Sequence, residues 1–218
     1  MDKTKQYLSI LVNEMHSVVC ATLDDQNRPA TRVIDIMLTD GHTLYFLTAK
    51  GKDFYKQLIT HPFIALTGMS GGEGMDRMHA TMQKKSISIR GSVECIGTRK
   101  LKEIFEKNPY MAEIYPTEKS REALVVFKMT AGTGEFFDLS TKPITRESFS
   151  VGAFEKTEEE SHVPYLISLA CTGCGKCLTV CPQNCIRHES VPFKIDQAHC
   201  LHCGNCFTDC PAGAVIRR

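Results

Sequence analysis

Two runs of cysteine constrain this chain more than anything else in it. The first reads Cys171-Thr-Gly-Cys174-Gly-Lys-Cys177-Leu-Thr-Val-Cys181-Pro182. The second follows 29 positions on, as Cys200-Leu-His-Cys203-Gly-Asn-Cys206-Phe-Thr-Asp-Cys210-Pro211. The match extends into the tails, where Cys185-Ile186 stands opposite Ala214-Val215. A zinc ribbon uses paired cysteines and four ligands in all, which leaves the third cysteine and the Cys-Pro of each run unexplained. A disulfide framework suits a small secreted domain, and Met1-Asp2-Lys3-Thr4-Lys5 is followed by no apolar core of signal type. Iron–sulfur ligation accounts for all eight cysteines, because a cube of four irons takes one thiolate per iron.

The doubled C-x2-C-x2-C-x3-C-P run resembles that of the bacterial two-cluster ferredoxins. Three thiols at two-residue spacing wrap a tight loop around one cube. The fourth cannot reach that cube and serves the other one, and the proline turns the chain away. The resemblance implies two [4Fe–4S] clusters. One would be held by Cys171, Cys174, Cys177 and Cys210. The other would be held by Cys200, Cys203, Cys206 and Cys181. Gly175 and Gly204 leave room for backbone to approach the clusters.

The 218 residues allow one or two domains. A net charge of +1 carries neither a nucleic-acid footprint nor an acidic tail. No apolar run reaches the length of a membrane span. Of 11 cysteines, the runs take eight, leaving Cys20, Cys95 and Cys185. Oxygen-sensitive clusters and unpaired thiols lead us to expect a reducing cytoplasm, that of an anaerobe.

Upstream, the periodicity predicts a helix over Lys3 to Met15, then strands at Ser17–Leu23, Thr31–Leu38 and Thr43–Thr48. Asp24 to Pro29 is a turn cluster and Asp40-Gly41 a hairpin signal. A short helix over Lys52 to Thr60 turns Phe54 and Leu58 inward. Strands follow at Phe63–Gly68 and Ser86–Ile96, a helix at Lys100–Glu106, and two last strands, Ala123–Met129 and Glu135–Leu139, joined through Ala131-Gly132-Thr133-Gly134. Ser70-Gly71-Gly72-Glu73-Gly74 lacks the Gly-Lys-Ser/Thr ending of a phosphate loop and reads as a plain loop. Cys20 and Cys95 fall within strands and read as core thiols. The expected fold is therefore mainly β with α. A six-stranded antiparallel barrel with flanking helices fills residues 1–145, and 146–162, with the charged run Glu155 to Glu160, is a linker. A small α+β ferredoxin-like domain occupies 163–218.

The first domain resembles the pyridoxamine-phosphate-oxidase-like flavoproteins with an FMN-binding split β-barrel. The matching residues are Ala21-Thr22-Leu23, Pro29-Ala-Thr-Arg32-Val33, Leu44 to Lys52, and Leu58 with His61-Pro62. The resemblance implies FMN at a homodimer interface. Arg32, Lys50 and Lys52 would serve the phosphate, a dianion suited to a guanidinium fork and a lysine. Val33, Ile34 and Asp35 would line the ring with backbone groups, and Leu47-Thr48 would end a phosphate-side strand. Lys84 or Ser86 would reach the flavin from the next strand. The true oxidases of this family carry a C-terminal substrate motif with Trp and Arg. This chain has no Trp, so pyridoxal-phosphate synthesis is not expected of it.

A cube cycles one electron at a time and a flavin takes one or two, so the fusion implies a flavin/iron–sulfur oxidoreductase. It would pass electrons between a low-potential donor or acceptor protein, two clusters and FMN, and on to a small organic acceptor. The alternatives are a non-enzymatic relay to a partner protein and a redox or ligand sensor. His16, His42 and His79 are the candidate proton donors only because histidine titrates near neutrality.

Overall fold

The computed structural model describes residues 2–153 and 164–217. Helix α1 (Lys3–Ile10) is capped by the Asp2 carboxylate, which accepts from Thr4 N at 2.9 Å, and runs on as a π turn over Leu11–Met15. The strands that follow are β1 (Ser17–Leu23), β2 (Pro29–Asp35), β3 (Leu38–Thr39) and β4 (Leu44–Ala49). Next come α2 (Asp53–Thr60), β5 (Phe63–Ser70), α3 (Arg77–Thr81) and β6 (Lys85–Gly97). Short helices α4 (Leu101–Lys107), α5 (Met111–Ile114) and α6 (Glu118–Arg121) lead to β7 (Leu124–Asp138) and β8 (Thr145–Gly152). These strands form one mainly antiparallel sheet in the order β2-β1-β5-β6-β7-β4-β3, with β8 on β7. Alternation drives the burial: Ile87, Ile89 and Val93 of β6 enter the core, as do Phe54 and Leu58 of α2. Cys20 is fully buried, whereas Cys95 is only half-buried.

Several expectations need correction. The glycines at 131–134 do not turn the chain, and β7 is a single 15-residue strand. They permit close packing instead. A Cβ on Gly91 would strike the Ala131 carbonyl, and one on Gly132 would lie 2.7 Å from the Arg90 carbonyl. A Cβ on Gly134 would run into the Phe149 ring. The expected linker at 146–162 also begins as structure, because Thr145–Gly152 is a strand. The expected strand Thr31–Leu38 is also split, into β2 and β3, and among the described residues the sheet has eight strands rather than six. The charged run at 155–160 lies outside the described residues.

The chain divides into two compact units. The first takes in the described parts of Met1–Ser70, Ser86–Glu135 and Phe149–Glu155. The second joins Gly71–Lys85 and Phe136–Ser148 to the described part of the C-terminal residues. That C-terminal part holds β9 (Tyr165–Ile167), α7 (Lys176–Val180), β10 (Ile186–Arg187), β11 (Lys194–Ile195), α8 (Asn205–Thr208) and β12 (Val215–Arg217). Its strands pair as β10 with β11 and β12 with β9. Within the second unit the strap before and into β8 is bonded to the cysteine region. Ile144 N donates to Gln183 Oε1 at 3.1 Å, Arg146 N to the Ala198 carbonyl at 2.7 Å and an Arg146 guanidinium N–H to the Leu201 carbonyl at 3.2 Å. Among the described residues no helix is long and apolar enough to cross a membrane.

Candidate functional site

The eight cysteines of the doubled run sort themselves into two cavities. One is lined by Cys171, Cys174, Cys177 and Cys210, with Ile167, Phe193 and Ala214 among its apolar walls. The other is lined by Cys181, Cys200, Cys203 and Cys206, together with Cys185. Each set takes three thiols from one run and the fourth from the other. The internal repeat builds this: α7 and α8 start at equivalent places, each after a glycine in the left-handed region, Gly175 at φ 77° and Gly204 at φ 82°. A side chain at Gly204 would also press on the Tyr165 hydroxyl. Cys177, Ile186 and Phe193 form a small apolar core, with Cys171, Cys181 and Cys206 packed against it.

The thiols crowd one another electrostatically. Burial pushes the Cys206 thiol up to about 11, and Cys200, Cys203 and Cys181 add to the effect. Burial likewise raises Cys177, with Cys171, Cys174 and Cys210 contributing. Four thiolates cannot share such a room unless a cationic centre offsets their charge. Burial also works against the Cys210 thiolate, but the backbone N–H groups of Val215, Ala214, Ala212 and Gly213 outweigh it and hold that thiol below its ordinary value. Among the described residues, no three His, Cys, Asp or Glu converge on a point as a single metal ion would need. The four thiols of each set surround a volume instead.

In the first unit the flavin-site residues expected from the sequence separate into two groups. Arg32 is half-buried. Its guanidinium donates to Thr22 Oγ1 at 2.5 Å and to Gln57 Oε1 at 2.7 Å, and lies 4.5 Å over the Phe54 ring. Burial lowers its pKa. Gln57 and Phe54 belong to α2, and Lys52 is the residue that caps that helix. On the same face of β4, Phe46 stacks on Phe54 at 5.9 Å. Thr48, two residues on, is buried with its hydroxyl unpartnered among the described residues. Arg32, Thr48 and Lys52 are thus gathered about one helix.

The others engage different partners. Lys50 Nζ donates to the Glu122 carbonyl at 3.3 Å. Leu47 packs on the opposite cluster formed by Met37, Tyr45, Ile104 and Val126. Val33 points outward, 68% exposed, and Ile34 is half-buried. Asp35 accepts from Ser17 Oγ at 2.6 Å and from the Tyr110 hydroxyl at 2.8 Å, with His16 Nε2 3.6 Å away. Burial pushes the Asp35 carboxyl up, but Ser17, Tyr110 and His16 outweigh it and hold it below the ordinary range. His16, at φ 52°, therefore belongs to a hydrogen-bonded group that includes Tyr110, 3.0 Å from its Nε2. Tyr110 has no motif in sequence and was not foreseen. Of the other expected groups, His79 pairs with Asp76 at 2.5 Å, and the Lys84 carbonyl accepts from Leu139 N at 3.0 Å.

The outward face of β1, β2 and β5 carries an apolar patch. Val19 sits in register with Val33 on one side and Thr67 on the other, and Ala21 with Ala65. Phe63 and Met69 are 52% and 62% exposed on that face.

Comparison with known proteins matches two stretches of the chain. Residues 4–138 match the family model described as pyridoxamine 5'-phosphate oxidase. Residues 170–214 match that of the 4Fe-4S dicluster domain. Among solved structures the chain is similar to a NimC/NimA family protein from Clostridium acetobutylicum. The identity is 22% and the TM-score 0.53, covering 69% of this chain and 95% of that one. It is also similar to a protein related to general stress protein 26 of B. subtilis, likewise from Clostridium acetobutylicum. There the identity is 16% and the TM-score 0.50, over 69% and 96% of the two chains. A heme binding protein from Mycobacterium smegmatis matches at 10% identity and TM-score 0.52, over 67% and 57%. These identities establish a shared fold. Among curated proteins nothing matches the chain significantly.

Proposed function

Because the chain belongs to the pyridoxamine 5'-phosphate oxidase family over residues 4–138 and continues into a 4Fe-4S dicluster domain, we propose that it is a flavin/iron–sulfur oxidoreductase. In this reading electrons pass between a low-potential donor protein, two [4Fe–4S] clusters and FMN, and on to a small organic acceptor. The observation that carries the proposal is the pair of cavities, each lined by four run cysteines drawn from both runs, on a chain that also bears a flavoprotein-family barrel. The bound groups supply one-electron storage and a one- or two-electron exchange. The protein supplies position and charge.

The residues fit those groups. Cys171, Cys174, Cys177 and Cys210 would hold one cluster, and Cys181, Cys200, Cys203 and Cys206 the other. Backbone N–H groups already reach the sulfurs, from His202 to Cys200 at 3.4 Å and from Ala214 to Cys210 at 3.3 Å. For the flavin phosphate, Arg32 has five N–H donors and uses two on Thr22 and Gln57. Lys52 adds a second cation near the same helix. The unpartnered Thr48 hydroxyl supports a polar ligand on that face. Lys50 and Leu47 would contribute less, because the first is turned to Glu122 and the second to the apolar cluster. Val33, Ile34 and Asp35 would offer the backbone of β2, which stands at the end of the sheet order. The apolar patch on the outer face of β1, β2 and β5 supports a homodimer.

The test is anaerobic stopped-flow on the full-length chain with a ferredoxin-type donor. Flavin bleaching should be faster in the wild-type chain than in the Cys174→Ser/Cys203→Ser variant, whose clusters are disrupted. Equal rates would take the clusters off the electron path.

A further inference from the structure

Cys185 is the one cysteine of the second unit outside the doubled run, and the repeat provides its own control. The equivalent position 29 residues on is Ala214. Both residues line their cavities, Cys185 that of Cys181, Cys200, Cys203 and Cys206, and Ala214 that of the other four. Cys185 is only 7% exposed, and its carbonyl accepts from Asp196 N at 2.7 Å, which fixes the backbone. Its Sγ lies 3.5 Å from Cys181 Sγ.

Four thiolates complete a four-iron cube, so a fifth thiol in the same room keeps its proton. A ligating thiolate can only accept, and a thiol beside it can donate. The Ala214 methyl cannot. The side chain at position 185 is therefore one difference between the two rooms.

We propose that Cys185 donates a hydrogen bond to the cluster thiolate of Cys181 and so makes the Cys181/Cys200/Cys203/Cys206 cluster easier to reduce than it would be without that donor. A donor on a ligating sulfur draws off charge and favours the more negative, reduced state. This deepens the two-cluster reading above and rests on it.

The experiment is a potentiometric titration of the full-length, anaerobically reconstituted protein, followed by electron paramagnetic resonance, with iron analysis on each sample. The wild type should show two one-electron steps. Cys185→Ala should keep its iron and shift one of the two steps downward, by about tenfold in the reduction equilibrium, or about 59 mV, and leave the other in place. Cys185→Ser, which retains a hydroxyl donor, should fall between Cys185→Ala and the wild type. Two unmoved steps in Cys185→Ala, or equal shifts of both, would overturn the proposal. So would loss of half the iron in Cys185→Ala, which would make Cys185 a ligand. Wild-type protein that takes up no iron would sink the two-cluster reading itself, a separate failure.

Discussion

The Arg32 guanidinium donates to the Gln57 Oε1 at 2.7 Å, tying strand β2 to helix α2. The bond aims the guanidinium at the helix that Lys52 caps, and leaves three N–H groups for an anion. Arg32→Ala should therefore weaken FMN by about 10- to 100-fold, from the roughly 1.5–3 kcal/mol of a charged hydrogen bond. Riboflavin, which lacks the phosphate, should be far less affected. Arg32→Lys should not restore FMN fully, because an ammonium lacks the planar fork. Fluorescence titration of both flavins checks this, and equal losses would move Arg32 off the phosphate.

Cys181 follows Cys177 by four residues yet lines the cavity of Cys200, Cys203 and Cys206. Cys181→Ser should accordingly damage that cluster and spare the one served by Cys171, Cys174, Cys177 and Cys210. Electron paramagnetic resonance of the reduced variant distinguishes the two. Loss of the Cys171-set signal would show that each run keeps its own fourth cysteine.

The cysteine pattern was legible because ligand spacing is local and twice repeated. The strands from Ser17 to Ser70 were legible because alternation and the Asp40-Gly41 turn are local too. Gly132 and Gly134 misled because a glycine that admits a neighbouring strand and one that permits a turn look alike in sequence. Strand β8 escaped notice because it is polar in sequence and buries only Phe149 and Val151. Tyr110 escaped because it meets Asp35 from 75 positions away. The grouping of Arg32 with Thr48 and Lys52, and the turning away of Leu47, depend on which face of a strand meets α2.

The Asp35 group gives a pH test. Hydrogen bonds from Ser17 and Tyr110, with His16 nearby, hold the folded carboxyl low against the push of burial. A depressed carboxyl contributes stability above its unfolded value, about 3.9. That contribution is lost only as pH falls through the still lower folded value. Asp35→Asn should lower Tm by about 2–4 °C at pH 7, corresponding to about 1 kcal/mol. The difference should hold at pH 5, which is still above the unfolded value. Anaerobic thermal melts at the two pH values decide, and a difference that collapses between them would contradict the assignment.

The strand crossing gives a packing test. Gly91→Ala would drive a methyl into the Ala131 carbonyl and should cost about 1–3 kcal/mol or more. Gly51→Ala meets nothing within 4 Å and should be neutral or stabilising by about 0.4–1 kcal/mol. Denaturant midpoints of the two variants compare them directly. Equal effects would mean that the close approach at Gly91 is not needed.

The central claim is that one chain carries two four-iron clusters and a flavin. Anaerobic reconstitution followed by iron, acid-labile sulfide, zinc and flavin analysis tests it in a single sample. The account predicts about eight irons and about eight sulfides per chain, with about one FMN per chain as expected of a flavoprotein barrel. Protein that retains only zinc, takes up about four irons, or binds no flavin would contradict it.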